Sequence, residues 1–359
     1  MLLDIETQDA KRRASEKSST LEPRPTGLAR DAAIDFTKGT LVLFMVLYHW
    51  CNYFLGPQGH YYNYLRFLTP SFIFISGFMI SRIQLSRYEN SGHRLSKRLM
   101  VRGVKLLALV FLLNALLSFA RAHFEVRAAA LATFVRNICS ALIVANPTAA
   151  EGQKGVAFSM LVPIAYLLIL SAGLVIFAKR ERYAFRYTLL GLIAAVVLSY
   201  AHGIASSYLD LLMIGVLGVV IGFAETGKIA VFLGYPYLLI VLYCCYLAVI
   251  TIWAVTLPLQ VASVILTTAL LYVAGSWRER GAAWRRTVLL GKYSLLGYVS
   301  QIAILQGLRK ISWLSQHGVG VLLASLLLGT LLTVIIVQIA DFARRNSTLA
   351  DSLYRFVFA

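Results

Sequence analysis

Charge is scarce in this sequence. Only 14% of its 359 residues are Asp, Glu, Lys or Arg, while 59% are hydrophobic and the mean hydropathy is +0.73. Soluble domains carry about a quarter of their residues as charges, so an ordinary soluble globule is excluded and a polytopic membrane protein is implied. Acidic residues are scarcer still, 16 against 34 Lys and Arg, a formal charge of +18. In a soluble protein that excess suggests a nucleic-acid surface. Here the basic residues sit mostly in short segments between apolar runs, where they report topology, and no nucleic-acid partner is expected. Cysteines are few: Cys51, Cys139, Cys244 and Cys245 lie in apolar stretches with no C-x-x-C spacing and no His partner. They read as reduced, buried, structural thiols, and no metal site is expected. A secretory leader is also missing from the reading, because the residues after the opening MLL stay polar and charged up to residue 36. No internal repeat or low-complexity segment stands out.

What is present is a series of long apolar runs. A helix needs about 20 mainly apolar residues to cross a bilayer. Ten segments meet that criterion, roughly 36–55, 66–85, 99–120, 156–178, 185–202, 208–225, 231–252, 257–275, 287–307 and 318–341. The first tail and every second connection are rich in Lys and Arg, as in the runs from Arg82 to Arg98, Lys179 to Arg186 and Arg278 to Arg286. The opposite connections hold only Arg66, Arg121, Arg127, Arg136, Lys154, Arg309 and Lys310. The positive-inside rule then puts both termini in the cytoplasm. Residues 128–145 are nearly long enough to span but contain Arg136. A crossing there would swap every later loop and erase the asymmetry, so the segment reads as an interfacial or re-entrant helix. The fold class is all-α: a polytopic membrane helical bundle of about ten transmembrane helices. Residues 1–28 read as a disordered cytoplasmic tail, 29–345 as the membrane domain and 346–359 as a second cytoplasmic tail.

Ionisable residues inside a membrane are costly and are functional candidates by default. Lys38 and His49 are eleven positions apart in FTKGTLVLFMVLYHW, three helical turns plus about 20°, so both project from one face about 16 Å apart along the axis. Asp35 falls near the same face. In the second span, FLTPSFIFISGFMISR, Pro70 loosens the helix, and Ser71, Ser76 and Gly77 offer small positions for close packing. Arg94, Arg98, Arg102 and Lys105 follow helical spacing on the approach to the third span and form one basic stripe, suited to a polyphosphate or to anionic lipid headgroups. In LLGKYSLLGYVSQ, Ser294, Tyr298 and Gln301 form a polar seam that must face other helices. Asp210, near Tyr200 and His202, is the acidic residue near the outer boundary, able to meet a hydroxyl, to orient His49 or simply to lie exposed.

These motifs resemble the N-terminal signature of the transmembrane acyltransferase superfamily. The superfamily includes acyltransferase-3 proteins, the glucan-succinylating OpgC type and the heparan-α-glucosaminide N-acetyltransferase type. The similarity is carried by RDAAIDFTKGTLVLFMVLYHW and FLTPSFIFISGFMI, in which Lys38 and His49 meet that group's spacing of a basic residue, ten positions and a His. The basic run before the third span and the late LGKYSLLGYVSQ segment are similar as well. One departure stands out: many members carry a His where this chain has Gln301, which keeps the capacity to hold a carbonyl by hydrogen bond.

The resemblance implies transfer of an acyl group, in the first instance acetyl, from cytoplasmic acyl-CoA to a hydroxyl, or an amine, of an extracytoplasmic or membrane-associated glycan or glycolipid. It places Lys38, Arg98, Arg102 and Lys105 on the CoA phosphates, with His49 as general base or as the nucleophile of an acyl-imidazole. Asp210 joins it as the candidate second catalytic residue. The expected location is a bacterial inner membrane, with membrane lipids as surroundings. Two other classes compete. Intramembrane Lys, His and Asp would also suit a proton-coupled secondary transporter of a small polar solute, against which stands the lack of an inverted repeat and of paired broken helices. A non-enzymatic scaffold or sensor would tolerate replacement of Lys38 and His49.

Overall fold

The computed structural model describes residues 31–56, 61–86, 88, 92–121, 158–177, 181–204, 206–225, 231–276, 281–311 and 318–358. The expectations for the 1–28 tail and for the 128–145 segment lie outside the described residues. Among the described residues every regular element is helical. Helix α1 (Ala32–Trp50) runs on into a π-helical turn, Cys51–Leu55. Short α2 (Tyr61–Leu65) precedes α3 (Leu68–Met79), which ends in a second π-helical turn, Ile80–Leu85. Then follow α4 (Gly92–Arg121), α5 (Leu161–Phe177), α6 (Glu181–Ala201) and α7 (Ser207–Gly222). The chain continues through α8 (Pro236–Ile252), α9 (Leu257–Ser276), α10 (Ala282–Lys292), α11 (Ser294–Arg309), α12 (Val319–Asn346) and α13 (Thr348–Phe358).

Over their described residues nine of the ten apolar segments each coincide with one main helix, and six described stretches are long and apolar enough to cross a membrane: Ala32–Leu55, Tyr61–Leu85, Gly92–Leu116, Arg182–Ala201, Leu257–Ser276 and Val319–Asn346. The chain is thus a multi-pass helical membrane bundle. Three others, α5, α7 and α8, are apolar but only 16 or 17 residues long, about 25 Å of helix against a hydrocarbon core of about 30 Å. The segment read as one span over 287–307 is instead the pair α10 and α11, bent by 93°. The bend falls at Tyr293, whose φ of −111° and ψ of 30° leave the helical region. Tyr293 is buried and donates its hydroxyl to Asp341 Oδ1 at 2.7 Å, so a bond to α12 holds the break. Pro70 lies in the first turn of α3, just past the turn at 66–67, where a missing N–H costs nothing. The cysteine expectation needs correcting: Cys51 is buried, but Cys244 and Cys245 are exposed on α8. An apolar helix face turned toward lipid accommodates a thiol as readily as a core does.

Helix α1 is the hub, packed against α3, α9, α10, α11 and α12, while α3 also packs on α7 and α9, and α5 on α4 and α7. Two crossings depend on glycine. A Cβ on Gly39 would run into the Thr287 carbonyl, and one on Gly291 into the Asp35 carbonyl, so α1 and α10 touch backbone to backbone. Gly77 and Gly218 play the same part between α3 and α7. Through Gly291 against Asp35, and Lys292 Nζ 3.2 Å from Asp341 Oδ1, the start of α1 and the end of α12 meet at one end of the bundle.

Helix α13 docks at that same end. Asp351 Oδ1 accepts from Arg344 Nε at 2.9 Å and Nη2 at 2.5 Å, while Asp351 Oδ2 lies 2.7 Å from Arg355 Nε. Arg344 also stacks over Tyr354, 4.1 Å from the ring centre, and Tyr354 packs edge-on against Tyr293. Hydrogen bonds from Arg344, with Arg355 adding to them, hold the Asp351 carboxyl below the ordinary carboxylate range. Docking through this pair is therefore complete above the ordinary Asp pKa of about 4 and is lost as pH falls through the depressed value. Hydrogen exchange of the 348–358 amides, corrected for intrinsic rates, is expected to stay flat down to about pH 4 and to rise below it. An Asp351→Asn protein should show no such step.

Candidate active site

His49 sits in the last turn of α1, with Nε2 closed off from solvent and without a hydrogen-bond partner. Three tyrosines surround its ring: Tyr48 edge-on at 5.2 Å, Tyr53 stacked at 6.4 Å and Tyr298 tilted at 6.1 Å between centroids. The sequence dictates two of these contacts, since Tyr48 is adjacent and Tyr53 lies one π-helical turn on; Tyr298 arrives from α11. Gln306 Nε2 donates to Tyr53 Oη at 3.2 Å, tying the same two helices together. Trp50 Nε1 donates to Ser325 Oγ at 2.7 Å and anchors this end of α1 on α12. Gln301, one turn beyond Tyr298, is fully buried, and neither amide atom has a partner. A buried polar group left unbonded costs about 1–3 kcal/mol. Such costs, side by side on α1 and α11, mark a place built for something other than stability.

Beyond Tyr48 lies a cavity of about 360 Å³, lined among others by Tyr48, Tyr62, Arg66, Tyr200, Asp210 and Gln260. Its volume falls in the range of small-molecule sites, roughly 300–1,000 Å³. The walls come from the ends of α1 and α6, from α2 and from the starts of α3, α7 and α9, all at the His49 end of the bundle. Tyr200 donates its hydroxyl to Asp210 Oδ2 at 3.0 Å, and Arg66 Nη1 donates to the Val255 carbonyl at 3.1 Å. Arg66 also lies over the Tyr62 ring, 5.6 Å from its centre, and Tyr62 packs on Tyr48 at 5.8 Å. Aromatic faces, hydroxyls, one guanidinium and one carboxylate therefore converge beside the imidazole.

The opposite end is basic. Lys38 is largely buried and ion-paired with Asp35 at 2.8 Å. On α4, Arg98 donates to Tyr88 Oη at 2.7 Å and Arg102 lies within electrostatic reach of Arg98 and of Tyr354 on α13. Lys105 Nζ sits 5.7 Å over the Phe356 ring. Arg98, Arg102 and Lys105 follow one another along α4, and α13 borders Arg102 and Lys105 through Tyr354 and Phe356. Lys292 is separated from the seam by the bend at Tyr293 and turns to Asp341 instead.

The structure brings His49, Tyr298 and, one turn away, Gln301 together, and it leaves Ser294 part-buried at the bend, at the first position of α11. Asp210 is hydrogen-bonded to Tyr200 and not to His49, with Tyr48 between them, so its orienting role toward His49 is not met; its place in the cavity wall suits the reception of a hydroxyl. Sequence reasoning missed Tyr48, Tyr53, Tyr62, Arg66 and Gln260. The i, i+4 pair Tyr62 and Arg66, at the start of a span, was the available signal. Among the described residues no three His, Cys, Asp or Glu side chains gather as a metal site.

A buried, unpartnered imidazole next to the wall of a polar cavity, in a bundle whose other end is basic, defines a helical membrane protein with a chemically equipped interior. The chain belongs to the acyltransferase-3 family: a family model described as an acyltransferase domain matches residues 31–340. It is a membrane acyltransferase. No curated protein and no solved structure gives a significant match.

Proposed function

We propose that this acyltransferase moves an acyl group, in the first instance acetyl, from cytoplasmic acyl-CoA to a hydroxyl of a glycan or glycolipid held in the cavity beside Tyr48. The observation that carries the reading is the unpartnered His49 Nε2, set between a basic end and a hydroxyl-lined cavity. The positive-inside pattern supports a cytoplasmic basic end and an extracytoplasmic cavity. Arg98, Arg102 and Lys105, with Lys38 on α1, suit the negative charges of CoA. Tyr48 and Tyr62 offer ring faces to a sugar, and Arg66, Asp210 and Gln260 offer hydrogen bonds to its hydroxyls.

In the transfer, the acceptor oxygen bonds to the thioester carbonyl carbon as the C–S bond breaks, and the hydroxyl proton passes through His49 to the departing sulfur. The acyl-imidazole route splits the same balance into two steps at the same nitrogen. The test is a kinetic split on purified protein in nanodiscs. Arg102→Ala should raise KM for acetyl-CoA by about tenfold, the value of one charge-assisted hydrogen bond of about 1.5 kcal/mol or more, with acceptor KM unchanged. Asp210→Asn should do the reverse. Loss of both parameters in both variants would remove the two-ended arrangement.

A further inference from the structure

Gln301 has no structural reason to be an amide. Its side chain is fully buried, and both Nε2 and Oε1 lack any partner. An amide brings two N–H donors and a carbonyl acceptor, and buried groups of this kind are nearly always bonded. The helix locates it. On the same face of α11, Tyr298 at i−3 touches His49, and Leu305 at i+4 packs with Trp50 and Cys51. Gln301 therefore lies level with the His49–Cys51 turn of α1, where a second orphan, His49 Nε2, is found. One orphan is a base and the other a donor.

Acyl transfer needs that combination. As the incoming nucleophile bonds to the carbonyl carbon, the C=O π electrons move onto oxygen, and the negative charge needs a donor already in place. We infer that Gln301 is a catalytic residue that donates its amide N–H to the acyl carbonyl oxygen while His49 handles the acceptor proton. This rests on the proposed acyl-CoA chemistry and adds the oxyanion partner to it. The tetrahedral adduct collapses with C–S cleavage, the charge returns from oxygen into the C=O bond, and the proton held by His49 goes to the sulfur. The same donor serves whether the attacking atom is the acceptor oxygen or the imidazole nitrogen. Oε1 is left to accept a hydrogen bond from the bound ligands.

The test uses the full chain in nanodiscs with acetyl-CoA labelled with carbon-13 at the thioester carbonyl. Turnover is read as thiol release with methyl glucoside as the acceptor probe, and infrared difference spectra of the bound donor are recorded in a His49→Ala background. Gln301→Leu and Gln301→Met, two apolar replacements of similar size, are compared with the parent. The expected result is a fall in kcat of about 10²–10³-fold with KM for acetyl-CoA moving less than about threefold. The carbonyl stretch, shifted down on binding to the parent, should return toward its value in water. The melting temperature should hold or rise, which a merely structural amide would not allow. Turnover within threefold of the parent in either folded variant, or an unchanged carbonyl frequency, overturns the inference. A parent protein that binds no acetyl-CoA overturns the donor reading beneath it.

Discussion

Replacing His49 with alanine is expected to lower acyl transfer by about 10²–10⁴-fold while leaving acetyl-CoA binding within a factor of two or three. The reason lies in the position of the ring. Nε2 is the one orphan base at the turn where the cavity wall and α11 meet, and no second imidazole shares that turn among the described residues. Nothing else there can take the proton: Tyr48, Tyr53 and Tyr298 surround the ring, but a neutral phenol is a far weaker base than a neutral imidazole. Lys38, the cation on α1 proposed to hold the donor, lies three turns away, so removing the ring leaves it untouched. Thiol release and calorimetric binding, measured on the same folded sample, separate the two effects. Normal turnover in that sample would remove His49 from the chemistry altogether.

The second large effect falls on the fold. Gly291→Val is expected to prevent assembly of the bundle or to lower its melting temperature sharply, because the added carbons meet the Asp35 carbonyl and the Gly39 nitrogen. Overpacked cores usually cost about 1–3 kcal/mol, since side chains can shift rotamer. Here the obstacle is backbone on a helix packed against five neighbours, so α10 must move as a unit. Its displacement would also break the Trp284 Nε1 bond to the Gly275 carbonyl at 3.1 Å and the Phe36–Trp284 stack. Gly191→Ala is the control, because nothing lies within 4 Å of its Cβ; helix propensity alone predicts a gain of up to about 1 kcal/mol. Detergent-stable yield and thermal melting of the two variants should diverge in opposite directions.

Much of this arrangement was legible in the amino-acid pattern. Runs of apolar residues mark helices in a bilayer because no other open backbone satisfies itself there, and the eleven-residue interval from Lys38 to His49 fixes their common face. The bend at Tyr293 was hidden, since LLGKYSLLG is apolar on both sides and the partner that Tyr293 bonds at the break, Asp341, lies 48 residues later. The cavity was hidden for a similar reason. Arg66, Tyr200, Asp210 and Gln260 each look like ordinary boundary residues, and only the meeting of several helix ends turns them into one wall. Periodicity along a helix carries no information about which helix ends meet.

Helix α1 also acts as a ruler. Its basic start and its imidazole are separated by a fixed rise of about 16 Å, and its backbone contact with α10 keeps the helix from sliding. An acyl donor can be gripped at one mark and react at the other only if its anchor and its acyl carbon are comparably far apart. A small activated acyl phosphate, with charge and carbonyl side by side, cannot reach both marks at once. On the proposed placement of the donor between Lys38 and His49, discrimination among donors is written in length before any pocket tests their shape.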